Sequence, residues 1–143
     1  MRLAVEDDAI VGGITYELYP HSRCGLVTYM VVAPDARARG LGRQLFEAAA
    51  AALYDAGARA VFGEVNDPGV HGDAARARLD RFVRWGAQVL DVRYVQPSLG
   101  EGLARDEGLC LIVLPPVPGL TDEVVHDFVA ELYLATEGGK PGG

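Results

Sequence analysis

The sequence predicts one α/β domain of the mixed kind also called α+β, and three observations lead to that prediction. The chain has 143 residues, of which 50% are hydrophobic, enough to bury an ordinary core. Segments with the two-residue period of strands alternate with segments of helical period. A hairpin of two strands precedes this alternation. Together these features predict a mixed sheet packed against helices.

The first part of the predicted sheet comes from three apolar segments. Residues 2–5 and 9–19 form a hairpin around an acidic turn, because apolar residues alternate there with smaller or polar ones. Gly12 and Gly13 are typical of a bulge in the second strand. Residues 24–34 are rich in β-branched and aromatic side chains and almost continuously apolar, which predicts a central strand.

Helical spacing of apolar residues begins after the third strand. It runs over residues 41–53, and Gly57 stands where a left-handed residue ends a helix. The remaining predicted elements are a strand at 59–65, a helix at 73–85, strands at 88–95 and 109–114, and a helix at 121–133 with Thr121 as N-cap. Residues 1–116 are the predicted domain, and residues 117–136 carry the last helix, whose apolar stripe needs a partner surface. Residues 137–143 are predicted to be disordered.

Charge and cysteine content argue against several classes of protein. A net charge of −7 speaks against a nucleic-acid partner and slightly favours a small cationic substrate. Cys24 and Cys110 lack the spacing of a zinc site or of a disulfide framework, so no metal is expected. The sequence has neither a leader nor a run of about 20 apolar residues, which predicts a cytoplasmic protein without a membrane partner.

One stretch combines features that point to an anion. A buried strand, a proline and a glycine-bearing loop lead directly into a helix, which gathers unpaired backbone N–H groups at the positive end of the helix dipole. Gly40 and Gly42 allow a phosphate to approach the backbone closely. The nearby positive charge comes from Arg37, Arg39 and Arg43.

Two other phosphate-binding loops do not fit this stretch. A P-loop requires Gly-Lys followed by Ser or Thr, which is absent, and a dinucleotide loop requires a third glycine where this chain has Leu45. One alternative is an ordinary strand, turn and helix with exposed arginines and no ligand. A further alternative is a plain α/β domain in which residues 37–43 meet another anion or a protein partner.

Residues 32–42, with the sequence VAPDARARGLG, resemble the acetyl-CoA signature of the GNAT N-acetyltransferases, Q/R-x-x-G-x-G/A after a V-x-P strand end. The segments EVN at 64–66 and WGA at 85–87 extend the resemblance, which covers about residues 3–114. It implies a mostly antiparallel twisted sheet with splayed central strands and helices on both faces. It also implies acetyl-CoA as cosubstrate, with no metal.

The resemblance also implies roles for individual residues. Backbone groups of Met30, Val31 and Val32 would bind the pantetheine arm, and one N–H there would polarise the thioester carbonyl. The pyrophosphate would lie on the loop formed by Arg37, Ala38, Arg39, Gly40, Leu41, Gly42 and Arg43. The thioester would sit where the strands at 28–32 and 60–65 diverge.

Acetyl transfer to an amine requires a base for the amine and an acid for the leaving thiolate. Glu64 is a candidate base acting through water, and it would attract a cationic amine; alternatively it caps or pairs with a neighbour. His71 is a second candidate because imidazole exchanges protons near neutral pH, or it is a solvated loop histidine. Many family members have a tyrosine that protonates the leaving thiolate, and this chain has Phe82 at the corresponding position. Tyr94 is the candidate substitute, or a tyrosine packed in a strand.

This chain differs from the usual family arrangement at its beginning. The family usually places a strand and two helices before the hairpin, and here the hairpin starts at residue 2. Either the chain has a shortened start, or the last helix, 121–133, covers the exposed sheet, within its own chain or in a homodimer. The predicted function is transfer of acetyl from acetyl-CoA to a primary amine of a small molecule. The alternative is a CoA-binding GNAT-like module with little or no catalysis.

Overall fold

A six-stranded sheet forms the centre of the structure, a computed structural model that describes residues 1–90, 108–115 and 120–137. The strands are β1 (Arg2–Glu6), β2 (Ala9–Tyr19), β3 (Cys24–Val32), β4 (Ala60–Asn66), β5 (Gln88–Val89) and β6 (Leu109–Val113). The helices are α1 (Leu41–Asp55), α2 (Pro68–His71), α3 (Asp73–Arg84) and α4 (Asp122–Glu137), and a 3-10 helix spans Pro34–Arg39. The strand order is β1-β2-β3-β4-β6-β5, in which β3 and β4 run parallel and the other neighbours antiparallel. The predicted mixed, mostly antiparallel sheet is confirmed.

The first hairpin turns tightly at two aspartates. Asp7 and Asp8 have φ angles of 48° and 65°, which gives the turn the twist that neighbouring strands require. Aspartate tolerates this left-handed conformation better than most residues. The register shifts between Ala4 and Val5, which leaves Val11 as the extra residue of a bulge next to Gly12.

Helices cover both faces of the sheet. On one face, α1 and α3 contribute Phe46, Leu53, Leu79 and Phe82 to a core that includes Val61 of β4. On the opposite face, α4 contributes Val124, Phe128 and Leu132 to a core that includes Tyr19, Leu26 and Phe62. The ring of Phe128 stacks on Phe62 with 4.5 Å between centroids and meets Tyr19 edge-on. The apolar stripe of the last helix therefore packs on the sheet of its own chain.

A carboxylate on α4 ties this helix to the turn between β2 and β3. Glu131 accepts hydrogen bonds from the backbone N–H of His21 at 2.8 Å, and from the N–H and the hydroxyl of Ser22, both at 2.7 Å. Its side chain is buried, with 7% of the residue exposed. Burial opposes ionisation, but the hydrogen bonds from Ser22 and His21 outweigh it and hold the pKa of Glu131 below its ordinary value.

Some element boundaries differ from those predicted. Residues 34–39 were expected as a loop but form a 3-10 helix, because Pro34 suits a first helical position and Ala36 is buried. Residues 68–71 also form a short helix, since the Asp67 side chain accepts a hydrogen bond from the N–H of Gly69 at 2.9 Å. Thr121 caps α4 as predicted, with its hydroxyl 3.3 Å from the N–H of Val124.

The predicted strand at 88–95 can be followed only in part. Gln88 and Val89 pair with β6, while residues 91–95 of the predicted strand, including Tyr94, lie outside the described residues. Of the tail predicted at 137–143, Glu137 is instead the last residue of α4, and the other residues lie outside the described part of the chain. None of the helices within the described part of the chain has the length and hydrophobicity needed to cross a membrane.

Candidate functional site

The central strands β3 and β4 pair along about half of their length and then diverge. Their parallel pairing runs from Cys24 opposite Ala60 to Val27 opposite Gly63, and ends there. Beyond this point β3 remains paired with β2, and β4 remains paired with β6. The sheet therefore opens into a V-shaped gap at the position predicted for the splayed strands.

Main-chain groups of β3 are directed into this gap. The N–H of Ala33 donates to the carbonyl of Val11 at 2.7 Å, which sets the phase of the ladder between β2 and β3. Alternation then directs the backbone of Val31 toward β2 and the backbones of Met30 and Val32 away from it. Of the three residues predicted to bind pantetheine, Met30 and Val32 therefore present N–H and C=O groups to the gap.

The loop after β3 ends in a left-handed glycine. Gly40 has φ 76° and ψ 15°, and apart from Gly40 and its two neighbours in the chain no described atom lies within 4 Å of the position that a Cβ would occupy there. Helix α1 begins at the next residue, and its first intrahelical bond runs from the N–H of Gln44 to the carbonyl of Gly40 at 3.1 Å.

The first turn of α1 offers hydrogen-bond donors to a ligand. The N–H groups of Leu41, Gly42 and Arg43 have no intrahelical acceptor because they open the helix, and in the described structure no side chain caps this turn. They lie at the positive end of a helix of 15 residues. We call Gly40 together with this first turn the donor corner. Its geometry suits a phosphate-type anion.

Gly42 has a packing role as well. A Cβ at this position would stand 3.2 Å from the ring of Trp85 and 3.7 Å from a methyl group of Val32. Trp85 in turn packs edge-on against Phe46 and Phe82. The expectation that both glycines serve ligand approach therefore applies most directly to Gly40, while Gly42 also lets α1 lie close to Trp85.

Each of the three arginines of the loop has a partner within the protein. The Arg37 Nε donates to the carbonyl of Val32 at 3.1 Å and ties the 3-10 helix to the end of β3. Arg39 forms an ion pair with Glu6. Arg43 pairs with Glu47 one helical turn later at 2.7 Å. These exposed pairs offset part of the positive charge, so the backbone N–H groups are the more distinctive feature of the donor corner. The backbone of Ala38 lies in the 3-10 helix.

Glu64 lies at the mouth of the gap. It directly follows Gly63, the last residue of β4 that pairs with β3, and it is half-buried. Ala60 and Phe62 belong to the core under α4, and the strand period puts Glu64 on that same face. The donor corner belongs to α1 on the opposite face, so Glu64 and the donor corner approach the gap from two sides.

Several carboxylates on the α4 face act on the phenol of Tyr19. Burial raises the pKa of its phenol most, followed by the negative charge of Glu17 and a hydrogen bond with it, and then by the charges of Glu64 and Glu131. Sequence reasoning missed this tyrosine. The available signal was Glu17 two residues earlier, on the same face of β2.

The other catalytic candidates have different surroundings. His71 is exposed at the end of α2, and its backbone N–H donates to the backbone carbonyl of Asp67. Phe82 is buried and stacks on Phe46 with centroids 5.7 Å apart, so it is a core residue without a proton to donate. Tyr94 lies outside the described residues.

The described residues contain two cysteines and no converging ligands for a metal. Burial raises the pKa of the thiols of Cys24 and Cys110, which keeps both protonated and weakly reactive. No group of three His, Cys, Asp or Glu side chains within residues 1–90, 108–115 and 120–137 is arranged to hold a metal ion.

Comparison with known proteins gives matches of two kinds. A family model described as the Acetyltransferase (GNAT) family matches residues 1–75. No curated protein matches the chain by sequence. Among solved structures, the chain resembles a protein from Bacteroides thetaiotaomicron described as a GNAT-family acetyltransferase, with a TM-score of 0.69 and 24% identity. That match covers 94% of this chain and 69% of the other.

Two further structures have similar folds. One from Desulfovibrio desulfuricans, described in the same terms, has a TM-score of 0.58 and 24% identity over 78% of this chain and 65% of the other. A Bacillus subtilis acetyltransferase in complex with CoA has a TM-score of 0.56 and 13% identity over 78% of this chain and 73% of the other. The chain spans roughly two thirds of the length of the first two structures, at 69% and 65%.

Proposed function

This chain belongs to the GNAT family of acetyltransferases, and on that premise we propose that it transfers the acetyl group of acetyl-CoA to the primary amine of a small molecule. The observation that carries the proposal is the donor corner beside the gap between β3 and β4. An open left-handed glycine and uncapped helical N–H groups lie there at the end of the strand whose backbone faces the gap.

The donor corner would bind the pyrophosphate of acetyl-CoA. The N–H groups of Leu41, Gly42 and Arg43 are the proposed direct donors, and Gly40 leaves room for the phosphate oxygens. A hydrogen bond to a charged group contributes about 1.5–3 kcal/mol, so a few such bonds account for useful affinity without arginine contacts. Arg37, Arg39 and Arg43 would add to the local potential.

The backbone of β3 would hold the arm that carries the thioester. Met30 and Val32 present N–H and C=O groups to the gap, and an extended chain laid along them would pair as a further strand does. One of these N–H groups is the proposed donor to the thioester oxygen. Such a donor stabilises the negative charge that develops on that oxygen when the amine attacks, an effect of about 3 kcal/mol in other acyl-transfer sites.

Glu64 is the proposed base. The amine nitrogen bonds to the thioester carbon, the carbon–sulfur bond breaks, and the nitrogen loses a proton to Glu64 through water. Tyr94 is the proposed donor to the leaving thiolate, and His71 is the alternative base. The carboxylates whose charges act on Tyr19, together with the net charge of −7, favour a cationic acceptor on the α4 face.

The proposal is tested by thiol release from acetyl-CoA over a panel of polyamines, amino sugars, amino acids and a peptide with a free N-terminus. We expect small amines to stimulate release, and Glu64→Gln to lower kcat/KM by about 100-fold with CoA affinity unchanged. Glu123→Gln, an exposed site in the first turn of α4, is the matched control.

Three results would contradict parts of the proposal. Stimulation by the peptide alone would reject a small-molecule acceptor. CoA binding without amine-stimulated thiol release would favour the alternative, a CoA-binding module. The buried Phe82 supports this alternative because it cannot protonate a thiolate. Failure of CoA at about millimolar concentration to raise the melting temperature would reject both functions.

A further inference from the structure

The outer edge of β1 is not used by the proposed reaction. β1 stands at the end of the strand order, so within the described part of the chain no strand pairs with its outer side. Leu3 and Val5 point to one face of this edge strand and are 51% and 59% exposed. An unpaired edge with apolar side chains is a template for a further strand.

The hairpin turn determines the direction of the backbone of Val5. Glu6 and Ala9 close a two-residue turn in which both central residues have positive φ, which makes them a hydrogen-bonded pair. Main-chain groups alternate in direction along a strand. The N–H and C=O of Val5 therefore point outward, away from β2.

The neighbouring ladder determines the direction of the backbone of Leu3. Gly13 exchanges its hydrogen bonds with Val31 of β3, so Gly12 directs its own groups to β1, where it stands opposite Ala4. The groups of Ala4 are thus directed inward and those of Leu3 outward. The two exposed apolar residues of β1 are also the two with outward main-chain donors and acceptors.

The sequence of β1, RLAVE, is complementary to itself when two copies run antiparallel about Ala4. Arg2 then stands opposite the partner's Glu6, and Leu3 stands opposite the partner's Val5. In this register each Leu3 exchanges both of its outward hydrogen bonds with the Val5 of the other copy. Pairing Leu3 with Leu3 instead would put Val5 opposite Met1, which lies outside the strand, and would put Arg2 opposite Ala4 instead of an acid.

We propose that two copies of this chain associate through β1 and form one continuous sheet across a two-fold axis. Leu3 and Val5 of both copies meet on one face, which removes their exposed apolar surface from water. Arg2 and the partner's Glu6 meet on the other face. Glu6 already pairs with Arg39 in its own chain, and its two carboxylate oxygens accommodate both arginines.

Sedimentation velocity on the full chain tests this association. The wild type is expected at twice the chain mass of 15.2 kDa. Arg2→Glu creates two like-charge contacts in the symmetric dimer and should raise its Kd by at least about tenfold. Glu6→Arg should do the same. A mixture of the two variants should associate again, since every cross-strand pair in it joins opposite charges.

Two further variants distinguish strand pairing at the outer edge of β1 from general effects of charge and folding. Val5→Pro removes an outward N–H without removing a bond to β2, and should abolish the dimer while the circular dichroism spectrum stays folded. Arg84→Glu, an exposed site on α3, changes the net charge equally and should leave the Kd unchanged. A monomeric wild type, or a dimer unaffected by both Arg2→Glu and Val5→Pro, would overturn the proposal.

Discussion

Backbone N–H groups gather at two places in this protein, and only one of the two has an acceptor from a side chain of the described structure. At the turn between β2 and β3, the N–H groups of His21 and Ser22 bind Glu131, a carboxylate from the far end of the same chain. At the donor corner, the described structure supplies no side chain to the N–H groups that open α1. The closed site stabilises the fold, and the open site is suited to an anion from outside.

The largest expected effect comes from opening the closed site. Glu131→Ala leaves the buried donors of His21 and Ser22 without an acceptor and should lower the free energy of unfolding by about 3 kcal/mol. Urea denaturation measures this loss. CoA affinity should not change, because α4 lies on the face opposite the donor corner.

The matched control for this variant is Glu123→Ala, an exposed acid in the first turn of the same helix. It should cost at most about 1 kcal/mol through the helix dipole. Equal losses in the two variants would mean that the hydrogen bonds of Glu131 add nothing beyond a surface charge on α4.

Sequence reasoning predicted the open site and missed the closed one, and the physical reason is range. The donor corner is built from neighbouring residues, so a strand end, two glycines and a helix start predict it locally. Glu131 meets Ser22 across 109 positions, and Gly42 meets Trp85 across the α1–α3 interface. Such contacts depend on how helices dock on the sheet, which no local pattern encodes.

The same difference between local and long-range contacts explains which parts of the fold were predicted. Helical period and capping residues predicted α1, α3 and α4 closely, and alternation predicted the first three strands. The apolar stripe of α4 indicated that the helix needs a partner, but only the packing of Phe128 between Tyr19 and Phe62 identifies the surface. The short helices at 34–39 and 68–71 were missed because one or two turns are too short to show a helical period.

The next expected effect comes from altering the open site. Gly40→Ala puts a side chain at φ 76°, which should cost about 1–2 kcal/mol of stability. It also adds a methyl group in a space that no described residue beyond the two chain neighbours occupies, so a bound phosphate would meet it. We expect a CoA Kd about tenfold higher, measured by titration calorimetry.

Gly57→Ala is the matched control, because Gly57 has φ 99° and follows the opposite end of α1. Its strain should be similar, and CoA affinity should stay at the wild-type value. If both variants weaken CoA binding equally, the loss comes from strain in α1, and the donor corner is not the binding site.

The smallest expected effect is a pH dependence that belongs to the closed site. The pKa of Glu131 is lower in the folded protein than its ordinary value of 4.5, so its charged form binds His21 and Ser22. A depressed carboxyl pKa contributes stability that is complete above the unfolded pKa and is lost as pH falls through the folded one. The difference in unfolding free energy between wild type and Glu131→Ala should therefore be constant from pH 7 to about pH 5 and shrink below that. Urea denaturation of both proteins across this range measures it, and a difference that stays constant into acid would show that neutral packing, rather than the carboxylate, holds α4 on the turn.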